Sequence, residues 1–560
     1  MKKRIISLIL CLSGLVLLLS SCGKGNKVIL LPAYSFPKSC DPQIYSGNES
    51  VNIATNEFEG LVRMDEKGNI VPGVAKSWDI SKDGLTYTFH LRDNSKWHIT
   101  NGGKKTLEEA GVKKFDNRVT ANDFVFAMQR AVDPETEAPH GNLLKNVENG
   151  KAILEGAMPP ESLGVEADGD YTLVIRLEKP DINFLDTLTM PLCDPCNSTF
   201  FEATKGRYGL SSDFLICNGP YYLSDLNTDS ETVTLKKNDD YTGKYKAISE
   251  TLRFAKTKAE TPAEEEEKKS DEDTSLNLYK SLSLKDGGLD AGLIIPLKKD
   301  EMPKHLTLIP FENGVKVICF NQNSEFSRNR NLRMAIAYST DIGKAIGKNE
   351  KRASGILPDS LLVTEGHPYR KEAGNATLLP FDPEKAEEYL NAAGGKDKDY
   401  NLSLLCLEED KATVTSLIQN WQKVFGSGLS ISVKTYKTRQ ELLDAMENDK
   451  YDIAFLELPF TNFLAPQVLR AYAYDNPDNL IHLNDEAYIW DVTKATTAVD
   501  AEECRDACYL AENRLISEGY IIPVSDVTNY MAISKNGKAL RFDPSGNIFF
   551  AFESGKENDK

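Results

Sequence analysis

The sequence predicts an α/β protein of two or three domains, and three observations carry that expectation. The chain has 560 residues, enough for more than one hydrophobic core. Between Glu59 and Pro134 a meander of short strands runs into a capped helix. Between Asp382 and Leu456 strands and helices alternate, the pattern of a parallel sheet with crossover connections.

In the first stretch, Leu85, Tyr87, Phe89 and Leu91 alternate with Thr86, Thr88, His90 and Arg92, a period of two that gives a strand one buried face. Asp83-Gly84 marks the turn before it. Thr120 and Asp123 have capping-box spacing, and Phe124, Ala127, Met128 and Ala131 follow at helical intervals. Val165 and the run Tyr171 to Ile175 read as the closing strands. Asn101 to Asn117 interrupt the pattern, and their Gly and Lys content predicts an exposed excursion.

In the second stretch, Asp382 caps a helix with Pro383 at its first position. Ala386, Tyr389, Leu390 and Ala393 form its apolar stripe, and Gly394 ends it. A strand (Leu402 to Leu407), a helix (Thr413 to Phe425), a strand (Leu429 to Val433), a helix (Arg439 to Met446) and a strand (Tyr451 to Leu456) follow. Trp421 falls on the inward face of its helix and reads as core. Arg505 to Ser517 is a helix, and Ile521 to Val524 and Gly546 to Phe550 are strands.

Lys2, Lys3 and Arg4 precede the apolar run Ile5 to Leu19, which is too short to span a membrane and ends in small residues. Residues 1–21 read as a signal peptide. Leu19-Ser20-Ser21-Cys22 looks like the lipobox of a bacterial lipoprotein, which makes Cys22 the lipidation site. Removing the leader leaves 63 of the 66 basic residues against 84 acidic ones, a net charge of −21. That charge argues against nucleic acid, whose phosphates need a basic surface. From Lys256 to Ser275 a charged run with four consecutive glutamates reads as a solvated segment.

Eight cysteines remain after Cys11 and Cys22: Cys40, Cys193, Cys196, Cys217, Cys319, Cys406, Cys504 and Cys508. Export permits disulfides, but spacing alone does not pair them. Cys193-Asp194-Pro195-Cys196 has the spacing of a thiol redox motif, without a strand running into a helix N-terminus to activate a thiolate. Cys504 and Cys508 sit four apart on a helix and read as core. The chain has no HExxH, GxSxG or P-loop, and its six histidines never cluster at metal-ligand spacing. No catalytic residue, metal or cofactor is called for.

The ordered set Glu59-Gly60-Leu61, Pro72-Gly73-Val74-Ala75, Ser77-Trp78, Asp83-Gly84-Leu85-Thr86-Tyr87, Phe89, Leu91-Arg92, Trp97, Thr120-Ala121, Asp123-Phe124, Arg130 and Asp133-Pro134 resembles the extracellular peptide- and nickel-binding proteins of ABC importers. Further matches are Ser39-Cys40-Asp41-Pro42, Asn218-Gly219-Pro220-Tyr221, Asn238 to Tyr241, Leu289 to Gly292, Phe320-Asn321 and Leu332 to Tyr338. The resemblance implies a two-lobed periplasmic-binding-protein-like clamshell of type II, in its large peptide-binding subclass, with an additional mixed β subdomain. It places lobe I in residues 22–60, 185–311 and 495–555, the subdomain in 61–184 and lobe II in 312–494. The chain then crosses between lobes twice. The implied partners are a peptide ligand (oligopeptide or dipeptide) and the ABC transporter permease subunits. The protein is then a monomer, lipid-anchored in the membrane on the extracytoplasmic side, in the periplasm or on the outer face of the envelope.

The resemblance also implies site residues. Tyr45, Ser46 and Gly47 correspond to the segment that runs along the ligand, and Asn218, Phe320, Asn321 and Phe455 join the ligand-binding candidates. Typical oligopeptide binders carry a Trp and then an Asp after the strand that here reads Tyr451 to Leu456, and the Asp pairs with the peptide's α-amino group. Both are missing. Glu457 is the only acidic side chain between Asp452 and Phe463-Leu464. It is either the substitute anchor or a solvent-facing residue at a strand end. A non-peptide small ligand, or a tethered thiol oxidoreductase using Cys193 and Cys196, are the alternative functions.

Overall fold

The computed structural model describes residues 28–33, 36–256, 288–294, 306–347, 350–448, 451–458, 463–473, 476, 479–544, 546 and 548–553. Cys22 and all but the first residue of the charged run from Lys256 lie outside the described residues.

The meander forms as its pattern predicts. Ala75–Ile80, Thr86–Leu91, Thr172–Arg176 and Val165–Ala167 make a four-stranded antiparallel sheet in that order. Tyr87, Phe89 and Leu91 are buried. The turn before the strand closes through Gly84 N–H donating to Ser81 O, with Gly84 at φ +70°, where a side chain would be strained. Helix Ala121–Val132 carries the capping box: Thr120 N–H donates to Asp123 Oδ2 at 2.7 Å. Its stripe, Phe124, Ala127, Met128 and Ala131, packs into one core with the sheet.

Asn101 to Asn117 are largely exposed, as expected, but they are not irregular throughout. Asn101–Glu109 is a helix, capped by Thr100 and buried on one face at Gly103, Thr106 and Leu107. Thr106 Oγ1 donates to Asp213 O, and a Cβ on Gly102 would collide with the Asp213 carboxylate. The glycines permit close approach to the 211–214 turn, a partner more than a hundred residues away.

The rest of the first lobe is a sheet in the order Val28–Ala33, Thr251–Lys256, Thr232–Lys237, Tyr221–Asn227, its first pair parallel. The second lobe is built on Tyr400–Leu407, with Leu429–Tyr436 and Ile453–Glu457 parallel on either side. Helix Pro383–Ala392 starts at the Asp382 cap, and helix Lys411–Phe425 buries Trp421 completely, with its indole N–H donating to Thr340 Oγ1 at 2.9 Å.

Two long strands join the lobes. Thr307–Phe320 and Ile521–Ile533 pair antiparallel along almost their whole length, from Thr307 opposite Ile533 to Cys319 opposite Ile521. One end also pairs with Ala291–Ile294, and Met531 and Ile533 join the first lobe's core. The other end pairs with Ile453–Glu457, and its two faces carry two separate second-lobe cores. The register shifts between Phe311 and Gly314, and again between Lys316 and Val317. The buried members of each core come from one lobe, so the ribbon between these shifts is where bending is cheapest.

The return to the first lobe comes later than the expected boundary near residue 495. Helices Glu486–Thr496 and Ala501–Ser517 pack in the second lobe: Cys504, Cys508 and Leu515 share a core with Leu405 and Leu456. The crossing happens within Ile521–Ile533. A buried ionic group fastens the second of these helices. Glu512, with no exposed side-chain surface, accepts from Arg370 Nη2 at 2.6 Å, from Tyr369 Oη at 2.7 Å and from the Ile356 and Leu357 N–H groups. Removing one partner of such a pair strands the other charge. Glu512→Ala should therefore lower stability by about 3–5 kcal/mol. An unchanged midpoint in chemical denaturation would show that the network carries no such energy.

Candidate functional site at the lobe crossing

Strands Tyr400–Leu407 and Ile453–Glu457 run parallel and end on the side of the sheet where the crossing strands leave for the first lobe. Ligands of open α/β sheets bind in the crevice beyond such carboxyl ends. The residues at this edge are Glu408, Glu409 and Asp410 after one strand and Glu457 on the other, with Lys316 opposite Glu457 in register on the crossing strand.

The edge is ionic and partly dry. Lys316 Nζ lies 2.5 Å from Asp410 Oδ1, with Asp410 4% exposed at its side chain. Among the described residues Asp410 Oδ2 is buried without a hydrogen-bond partner. Burial pushes the Asp410 carboxyl up, and Lys316 opposes that shift. Glu457 is half-buried; burial raises its pKa, against the pull of Arg439 and Lys316. Its carboxylate rests against the crossing strand, where a Cβ on Gly314 would collide with Oε1. Arg439 Nη2 donates to the Glu457 carbonyl at 3.1 Å. Two cations thus stand among Glu457, Asp410 and Glu409, leaving the edge net acidic.

Farther along the second crossing strand, Lys351 bridges Asp526 at 3.1 Å and Asp359 at 3.2 Å. It lines an open cavity of about 560 Å³ with Arg352, Ser354, Asp359, Arg370 and Asn375. Lys351 and Arg370 are offset by the carboxylates they bind.

On the first lobe, the corner Ser39-Cys40-Asp41-Pro42 is held by a buried network. Arg130 Nη2 donates to Asp41 Oδ2 at 2.7 Å and Nη1 to Gln43 Oε1 at 2.7 Å, while Gln43 Nε2 donates to Asp194 O at 2.9 Å. This fixes the chain entering helix Gly47–Glu57. The Tyr45 ring turns inward, 4% exposed, and stacks on His140 with centroids 4.5 Å apart. Ser46 and Gly47 are exposed at the helix start, Gly47 at φ +76°.

The remaining candidates are committed to the fold. Asn218 is fully buried; its amide accepts from Glu59 N–H at 3.0 Å and donates to Glu59 O at 2.8 Å. Phe320 is buried opposite Ile453, at the other end of the strand pair from Glu457. Asn321 donates to Tyr451 O and accepts from Asn323 N–H. The Phe455 side chain lies in a second-lobe core. Lys316, Asp410 and Arg439 were not among the candidates. The triplet Glu408-Glu409-Asp410 directly after a strand was the available signal, but its lysine partner lies 94 residues away.

All eight described cysteines are free and buried. Burial pushes the Cys193 thiol up, helped by Asp194, and raises Cys196 to about 12 although Arg130 opposes it. A redox nucleophile needs a depressed pKa and access; this pair has neither. Among the described residues no helix is long and apolar enough to cross a membrane.

Known proteins share this architecture. The dipeptide-binding protein DppE of Bacillus subtilis (strain 168) is 28% identical over 512 residues, which is 89% of this chain and 87% of its own. A dipeptide-binding protein of Lactococcus lactis subsp. cremoris (strain MG1363) is 27% identical over 571 residues, covering 97% and 96%. The solved structure of the unliganded open form of MppA, a periplasmic murein tripeptide-binding protein, superposes with a TM-score of 0.67 at 23% identity, over 95% of this chain and 98% of that one. The peptide-bound OppA of Listeria monocytogenes superposes with a TM-score of 0.62 at 22% identity, over 96% and 100%. These likenesses establish the two-lobed clamshell. Residues 69–479 match the model described as bacterial extracellular solute-binding proteins, family 5 middle, and the chain belongs to that family.

Proposed function

We propose that this protein is the lipid-anchored substrate-binding component of an ABC importer, a carrier and not an enzyme, which captures peptides in the crevice between its lobes and delivers them to the permease. The observation that carries this reading is the acidic edge at the lobe crossing, with Glu457 seated on the crossing strand and Asp410 holding a free buried oxygen. A peptide enters with a cationic amine, and burying that charge without a carboxylate is costly. Lys316 opposes the rise that burial gives the Asp410 carboxyl, and Arg439 and Lys316 do the same for Glu457. Exposed Ser46 and Gly47 offer backbone to an extended ligand from the first lobe. The names of the relatives, dipeptide- and oligopeptide-binding proteins, support the same ligand class.

Native mass spectrometry of the protein purified from its own cells should release peptides; a non-peptide metabolite in their place would establish the alternative ligand class. Glu457→Gln should weaken binding of a free-amine peptide by about 2–5 kcal/mol, the cost of one broken buried pair. N-acetylated peptides should bind the wild type poorly, with the difference narrowed in the variant. Equal calorimetric affinities for free and acetylated peptides would remove Glu457 from the site.

A ligand shifts a hinge only by binding the closed form more tightly. Saturating peptide should therefore reduce the radius of gyration in small-angle scattering, and an unchanged radius would refute closure. At the N-terminus, Cys22→Ser should abolish membrane partitioning and remove the mass of the lipid. A variant that still partitions, with unaltered mass, would exclude the anchor.

A further inference from the structure

The acidic edge at the lobe crossing holds two carboxylates in different settings, with Lys316 beside both. The Lys316 ammonium is 2.5 Å from Asp410 Oδ1, and across the ladder Lys316 is directly opposite Glu457. The Glu457 carboxylate lies farther along the crossing strand, at Gly314, where a Cβ would collide with its Oε1. Gly314 and Lys316 are two residues apart in an unbroken stretch of the ladder, from Gly314 opposite Val527 to Lys316 opposite Ser525. Two residues of strand rise about 7 Å. The edge therefore offers two separate cation positions, one at Gly314 and one at the tip of the Lys316 side chain.

Asp410 is the unusual member. It occupies the N-cap of the 15-residue helix Lys411–Phe425 but makes no side-chain cap bond there, although an N-cap aspartate ordinarily accepts from an N–H of the first turn. One oxygen is on Lys316. The other, Oδ2, is buried with no hydrogen-bond partner among the described residues, on a side chain 4% exposed. A buried carboxylate oxygen without a donor is costly, and the helix N-terminus beside it favours the ionised form. The cations at the edge are committed: Lys316 to Oδ1, and Arg439 to the Glu457 carbonyl at 3.1 Å. Glu408 and Glu409 precede Asp410 and Lys411 follows it, all three exposed, so the flanking residues add a negative charge rather than a positive one.

We infer that Asp410 is a specificity-determining residue and that the crevice prefers peptides whose first residue is lysine or arginine, with the α-amine on Glu457 and the side-chain cation at Asp410 Oδ2. The inference rests on the peptide reading of the same site and adds the ligand's first side chain to it. Reach assigns the two ends. Glu457 is half-buried and open to an amine carried on a peptide backbone. Asp410 Oδ2 is deeper, where a backbone terminus does not fit but a long, thin side chain with its charge at the tip does. The two nitrogens of lysine are six bonds apart, a reach of about 7 Å, which matches the offset of two strand residues. An uncharged first side chain leaves Oδ2 without a donor.

The test is calorimetric titration of the full mature chain with two tripeptides that differ by one charge, lysyl-alanyl-alanine and norleucyl-alanyl-alanine. The lysyl peptide should bind about tenfold or more tightly, the low end of couplings for close charge pairs. Asp410→Asn should remove most of that ratio. Glu457→Gln should weaken both peptides and keep the ratio, a split that a general loosening of the site would not give. Asp410→Asn also strands the Lys316 ammonium, so the double variant Lys316→Gln with Asp410→Asn, which removes both charges, should lose the preference as well. Equal affinities of the wild type for the two peptides would overturn the inference and leave the peptide reading standing. A double variant that keeps the full ratio would do the same. Binding of neither peptide would overturn the peptide reading and the inference with it.

Discussion

The architecture depends on the pairing of Thr307–Phe320 with Ile521–Ile533. One ribbon serves cores in both lobes, and register is its critical property, because a slip of one residue would turn every side chain to the wrong face in both lobes at once. The ladder holds that register at each end and yields in the middle, at the shifts around Gly314 and Lys316. The same two residues belong to the candidate site. Gly314 lacks a side chain where the Glu457 carboxylate and Val527 press on the strand, and Lys316 reaches Asp410. Bending the ribbon therefore moves the groups that would meet a ligand, without any relay through the lobes.

Much of the fold was legible because it is written locally. The alternation from Leu85 to Leu91, the Thr120–Asp123 box and the Asp382-Pro383 helix start each need only a few neighbouring residues, and each formed as expected. What was not legible depends on distant partners. Helix Ala501–Ser517 is apolar on the correct face, but nothing in it tells which lobe will cover that face; Arg370 and the second-lobe core decide. The glycines of Asn101–Glu109 read as loop until the Asp213 turn is set against them.

The site was legible in part for the same reason. Glu457 stood out because a carboxylate was needed and it alone was present; its seat on Gly314 required the fold. Asn218, Phe320 and Asn321 match family motifs, yet their side chains close turns and fill a core. A motif can persist because it holds a site's frame, and the motif alone does not separate that from touching the ligand.

The buried charges divide by what they join. Arg130 with Asp41, Arg370 with Glu512 and Lys316 with Asp410 each tie segments about 90 to 140 residues apart and fix loops that regular hydrogen bonding does not reach. Such pairs add little net stability against well-packed apolar residues, but breaking one is expensive; their effect is positional. They set the corner before Ser46-Gly47, the second-lobe helix pair and the acidic edge, which are the parts a closing crevice must present in fixed geometry. Asp186 is of the other kind: among the described residues it is a buried carboxyl without an ion-pair partner, so its burial ties no segments together.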